Sequence, residues 1–246
     1  AEIYDALEGD VLPQLRKAII VIRSFEPKRT NEEIASLSTT NPELLDVKEL
    51  LFSATLTDDE TVKEGIYNKA VELHNDWRGY NNIACMYIAN GDLNTGMDYL
   101  NKAVSILGEE NTDISTNKGV IAARVGKLAN AQVLFDKANA SELNQAILDI
   151  RQGEYKKAAR FFKNGKSHNA ALAQLMNGNN SANCNEATAA CYYLNAIAAA
   201  RSANNDAAIA NLTKAISNDS DYKKEATIDL EFVNLRTNEA FIALTK

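Results

Sequence analysis

The sequence predicts an all-α protein built as an elongated stack of helix pairs, preceded by a short extended segment. Its composition is rich in alanine, with 46% hydrophobic residues but only 7% aromatic residues and 3 prolines, which favours helices over a β-sandwich or barrel. From about residue 47 one pattern recurs: a helix, a short turn with Gly, Asn or Asp, and a second helix ending in Lys-Ala or a near variant. Its spacing is 33 positions from Ala70 to Ala103 and 35 from Ala103 to Ala138, the range of two-helix solenoid repeats.

Residues 1–30 differ from the rest. Ile19–Ile22 is a β-branched run bounded by Pro13 and Glu26-Pro27, and it reads as a single strand. A lone strand has no sheet to join, so the segment is either an arm on the helices or the tail of an upstream domain. Residues 31–75 hold N-terminal helices and a divergent first repeat at Leu50–Ala70. Thr30 with Glu33 makes a capping box for a helix at Asn31–Ser38, and Asn41-Pro42-Glu43 starts the next helix with Pro in its first turn.

Residues 76–216 carry the repeats. Tyr80, Ile83, Ala84 and Tyr87 form a helical stripe, Gly91 closes that helix, and Asp92 caps a second one bearing Leu93, Gly96, Leu100 and Ala103. A second unit runs from Asn117 through Gly126, Leu128, Ala131 and Phe135 to Ala138. A third has Ala146, Gly153, Tyr155, Ala158 and Phe162, and a later one has Tyr192, Ala196, Ala199, Ala208, Leu212 and Ala215, degenerate at its turn. Ser167–Asn183 reads as a shortened repeat. Residues 217–246, with Tyr222, Ile228, Phe232, Phe241 and Leu244, would cap the last one.

In this register the chain resembles the tetratricopeptide repeat family over residues 47–216. The family's signature positions read Tyr80, Ile83, Ala84, Tyr87, Gly91, Gly96, Leu100, Ala103 and Gly108. The resemblance implies a right-handed α-solenoid whose first helices line a concave face for protein or peptide ligands. Lys118 departs from the pattern at a normally apolar position, and the interval from Ala138 to Gly165 is only 27 positions. A weaker resemblance concerns the whole layout. LRKAIIVIRSFEP, ELLFSATLT, NQAILDIRQGEYKKAARFF and Asp229-Leu-Glu-Phe232 are similar to the C-terminal region of Gram-negative cell-envelope proteins of the OmpA family. That implies a periplasmic, outer-membrane or surface location, with membrane association through an upstream region. The alternative is cytoplasmic.

Charge and motif content exclude several functions. A net charge of −7 and a pI near 5.0 leave no basic footprint for nucleic acid. The apolar runs, such as Ala18–Ile22, are too short to cross a bilayer, and AEIYDALEGD lacks the form of a secretory signal. His74 and His168 have no second metal ligand at helical spacing, and the Asn90-Gly91-Asp92, Gln152-Gly153-Glu154 and Asn177-Gly178-Asn179 turns are not phosphate loops. The acids at Asp58-Asp59-Glu60, Glu109-Glu110 and Asp219/Asp221 suit helix caps. No enzyme, cofactor or metal is expected. Cys85 and Cys191 read as small core residues, and Cys184 reaches Cys191 in a disulfide if the flanking helices are antiparallel.

The expected binding surface is therefore made of first-helix positions. One register position gives Arg124, Arg151 and Arg201, with Ala89 in the first full repeat. Three arginines along one groove suit the carboxylates of an extended ligand, unless they stay solvated or pair with neighbouring acids. Arg78, Asn81, Cys85 and Ile88 face the same groove, followed by Val120, Ile147, Tyr193 and Ile197. Asn82, Asn117 and Asn144 recur at a position suited to hydrogen bonding between repeats. The family's clamp for a peptide C-terminus uses Lys and Asn where this chain has Asn81 and Cys85, which argues against a chaperone-tail adaptor.

Overall fold

The computed structural model describes residues 28–181 and 183–246. The strand expected at Ile19–Ile22 lies outside the described residues. From Asn31 onward the chain is helical, with no strand among the described residues: α1 (Asn31–Thr40), α2 (Val47–Ser53), α3 (Glu60–His74), α4 (Trp77–Ala89), α5 (Leu93–Leu107), α6 (Thr112–Arg124) and α7 (Leu128–Ala138). Then follow α8 (Glu142–Arg151), α9 (Tyr155–Phe161), α10 (His168–Met176), α11 (Ala189–Arg201), α12 (Asn205–Asn218), α13 (Asp221–Ile228) and α14 (Glu239–Thr245). Helices adjacent in sequence pack on each other, with α4 on α5, α6 on α7 and α11 on α12 the most extensive pairs.

Local chemistry sets the helix starts. Thr30 and Glu33 form the expected capping box, with Glu33 N donating to Thr30 Oγ1 at 3.2 Å and Thr30 N to Glu33 Oε2 at 2.8 Å. Asp46 caps α2, Asp59 caps α3, Asp76 caps α4 and Asp92 caps α5. Each cap satisfies helix N–H groups that have no partner inside the helix. Pro42 departs from expectation: it opens a 3₁₀ turn, Pro42–Leu44, and α2 starts only after Asp46. The reversal between the two helices of a pair uses a left-handed residue at Gly91, Gly126 and Gly153, and at Ala203 in the last pair, where φ is 58°.

Packing follows the stripe pattern. Ile83, Ala84, Leu100 and Ala103 have no exposed surface, and Ile114 and Ile121 of α6 join the cluster around Ala84 and Leu100. Phe135 of α7 meets Ala122, Ala131 and Leu148, which carries the core on to α8. The apolar interior is thus a series of contacts between neighbours, as stacked repeats require. Gly119 makes one approach possible, since a Cβ there would lie 2.5 Å from Phe135 Cε1. Lys118, at its normally apolar position, buries its stem and places Nζ 2.7 Å from Glu110 Oε1. This pairing holds the Glu110 carboxyl below the usual glutamate range.

The later part of the stack is less regular. Among the described residues α10 has no second helix before α11. The intervening loop is tied down by a disulfide between Cys184 and Cys191, whose Cα atoms are 5.3 Å apart, and by Asn195, which bonds both backbone N and O of Cys184 at 2.9 Å. Cys191 is buried as expected, whereas Cys85 is exposed. At the C-terminus Phe232 and Phe241 close the last cluster with Ala208, Leu212 and Tyr193. Ile228 differs from expectation and is 70% exposed, because α13 ends there and the chain turns into a 3₁₀ segment, Leu230–Leu235.

Candidate functional site

The three register-related arginines share one structural relationship. Arg124 Nη1 on α6 donates to Ile88 O near the end of α4. Arg151 Nη1 on α8 donates to Ala123 O near the end of α6, at 3.3 Å, and Arg201 Nη1 on α11 donates to Leu175 O of α10, at 2.8 Å. Carbonyls in a last helical turn have no partner within their own helix, so each arginine caps the first helix of the preceding unit. The guanidinium charge also opposes the negative end of that helix dipole.

These helices enclose a cleft of about 450 Å³ between α6, α8 and α10. Val120 and Arg124 line it from α6, Ile147 and Arg151 from α8, so four of the expected groove residues converge. Asn144, one of the recurring asparagines, lines it too. His168, Asn169 and Leu172 of α10 complete the wall, and none of them was expected from the sequence. The available signal was the Ser167 cap, which starts α10 at His168 by accepting from Ala170 N. His168 Nδ1 is buried and has no hydrogen-bond partner. No lining residue among the described residues is acidic, so the cleft is a basic spot on a chain of net charge −7.

The other expected positions fall elsewhere. Asn81, Ile88 and Tyr193 are buried. Asn81 Oδ1 accepts from Asn117 Nδ2 at 2.9 Å, which joins two repeats, and Asn117 Nδ2 also lies 3.2 Å from the exposed Cys85 Sγ. Ile88 is held by the cluster around Leu100. Arg78 folds onto its own helix cap, donating from Nε and Nη2 to Asp76 at 2.8 and 2.6 Å. The pairing holds the Asp76 carboxyl below its ordinary range.

Tyr193, Ile197 and Arg201 lie where the chain returns after α13. Ile197 is half-buried between two core clusters. Tyr193 donates to Asp229 Oδ2 at 2.8 Å, and Arg201 binds Glu231 through Nε at 2.8 Å and Nη2 at 2.5 Å. Burial, followed by the hydrogen bond to Asp229, pushes the Tyr193 phenol far above the ordinary tyrosine range. The Arg201 contact lowers the Glu231 carboxyl below the usual glutamate range. Asp229-Leu-Glu-Phe232, expected from the sequence as part of a cap, also covers the groove positions of the last repeat, through Asp229 on Tyr193 and Glu231 on Arg201.

The arrangement offers fixed cationic donors beside an apolar floor and is suited to recognition of an anionic partner. No helix is long and apolar enough to cross a membrane among the described residues. A crystal structure of a tetratricopeptide repeat protein from Parabacteroides merdae is similar to this chain, with a TM-score of 0.53 at 18% identity, covering 93% of this chain and 96% of that one. The likeness bears on the fold, an all-α solenoid of the tetratricopeptide type. No protein-family model matches the chain, and no curated protein matches it in sequence.

Proposed function

We propose that this chain is a non-catalytic protein-binding scaffold whose ligand occupies the cleft between α6, α8 and α10. The observation that carries the reading is the convergence of Val120, Arg124, Ile147 and Arg151, from first helices of successive pairs, on one open cleft. Arg124 and Arg151 are exposed, and their bonds to Ile88 O and Ala123 O hold them in place before any ligand arrives. Such preorganisation lowers the ordering cost of binding.

The location we infer is the cell envelope. Support comes from the Cys184–Cys191 disulfide, which suits an oxidising compartment, and the location is the one that the OmpA-type resemblance read in the LRKAIIVIRSFEP and ELLFSATLT segments would imply. Membrane association would then run through a region upstream of these repeats.

A photo-crosslinking amino acid at Asn169, inside the cleft, compared with one at Val133, an exposed position on α7, tests the scaffold reading in intact cells. A discrete protein adduct from Asn169, absent from Val133 and lost on Arg124→Glu with Arg151→Glu, is the expected result. Identical adducts from both positions, or adducts indifferent to the arginines, would leave the solenoid as a spacer between other domains.

A further inference from the structure

The last repeat already holds an acidic segment of the chain itself, and its geometry defines a ligand chemistry. Arg201 uses Nη1 on Leu175 O and its other edge, Nε with Nη2, on the Glu231 carboxylate. Phe232, the next residue, is fully buried with its ring edge-on to Tyr193, centroids 5.5 Å apart. Asp229, two residues before Glu231, accepts from the Tyr193 hydroxyl.

Arg124 and Arg151 stand at the same register and use the same atom, Nη1, on the matching carbonyl of the preceding unit. Their Nε–Nη2 edges have no partner among the described residues, and both side chains are exposed at the cleft. That edge is a planar pair of donors matched to the two oxygens of a carboxylate. The difference between Arg201 and the other two is therefore occupancy, since one fork is filled in cis and two are open.

We propose that the cleft binds an acidic segment of a protein partner, with glutamate or aspartate carboxylates on the Nε–Nη2 edges of Arg124 and Arg151. An apolar neighbour of each acid rests on Val120, Ile147 and Leu172, as Phe232 follows Glu231 at the last repeat. Asn144 adds a hydrogen-bonding group for the ligand backbone. This assignment rests on the cleft being the interaction surface and adds the class of ligand it takes.

The test uses the intact protein and a fluorescein-labelled peptide of sequence ATIDLEFVNL, that of residues 226–235. Saturable binding is expected, weakened about tenfold or more by Arg124→Gln with Arg151→Gln, and similarly by glutamine in place of the peptide's glutamate. Amide shifts in NMR spectra should centre on Ile147, His168 and Asn169. Arg124→Lys with Arg151→Lys keeps the charge while removing the two-donor edge and, in a variant whose helical content and melting temperature match the wild type, should weaken binding about fivefold. Shifts confined to Tyr193 and Phe232 would mean exchange with the cis segment and would overturn the inference. Binding as tight in the lysine variant as in the wild type would overturn it too. If the peptide fails to bind while Asn169 still yields its cleft-specific adduct, the acidic-ligand inference falls and the scaffold reading stands.

Discussion

Arg201 and Glu231 join the last helix pair to the C-terminal turn through two parallel contacts of 2.8 and 2.5 Å, while the remaining nitrogen of Arg201 caps α10 through Leu175 O. One side chain thus ties together the unit before it, its own helix and the segment that closes the stack. Glu231→Gln removes the charge but little volume and should cost about 1 kcal/mol at pH 7, the scale of a partly exposed two-point ion pair. Because the folded Glu231 titrates below its unfolded value, its contribution is complete above the ordinary glutamate pKa near pH ~4.3 and disappears as pH falls through the lowered value. Urea unfolding of both proteins from pH 7 down to pH 3 should show the gap narrow once the pH falls below the ordinary glutamate range.

Tyr193 has the opposite dependence. Its folded value is raised, so the neutral phenol's contribution is complete below the unfolded tyrosine pKa near pH ~10 and is lost as pH rises above it. Absorbance at the phenolate band should show Tyr193 titrating only as the protein unfolds in alkali. Tyr193→Phe removes this dependence and should cost about 1 kcal/mol at neutral pH, from the lost bond to Asp229.

Ala203 adopts φ 58° at the reversal where Gly91, Gly126 and Gly153 stand in other units. A left-handed conformation costs an alanine roughly 1–2 kcal/mol, and glycine gives back part of that through its freer unfolded chain. Ala203→Gly should therefore raise stability by about 0.5–1 kcal/mol, seen as a higher midpoint in thermal unfolding.

Gly119 faces the Phe135 ring across the α6–α7 interface, with room for no Cβ. Gly119→Ala must push the ring or the helices apart and should destabilise by about 1–3 kcal/mol despite alanine's better helix propensity. Gly65, which has open space around it, is the control, where Gly65→Ala should be stabilising by up to about 1 kcal/mol.

With Cys184 and Cys191 joined and Cys85 exposed, a thiol reagent should titrate one group per chain in denaturant without reductant and three after reduction. Closing so short a loop should add about 2 kcal/mol to stability, which reduction would remove.

Much of the fold was legible because its determinants are local. Apolar spacing at Tyr80–Ala103, Asp92 as a cap and Gly91 as a left-handed reversal each follow from a few neighbouring residues, and each is present. The candidate site was legible in part. Register placed Arg124, Arg151, Val120 and Ile147 on one face, but it placed Tyr193, Ile88 and Asn81 there as well, and these are buried. A register position fixes direction from a helix axis and is blind to what covers that direction.

By itself, then, the sequence determined an all-α stack of paired helices, the ends of most of those helices, and the one register at which arginines recur. Tertiary structure alone decided which of those arginines remain available. Glu231 returns to Arg201 from 30 residues away, and α10 brings His168, Asn169 and Leu172 beside Arg151. Helix propensity and capping act over one or two turns, so they can be read in order along the chain. Occupancy of a groove depends on where a distant segment comes to rest, and that is set by the sum of contacts across the whole stack.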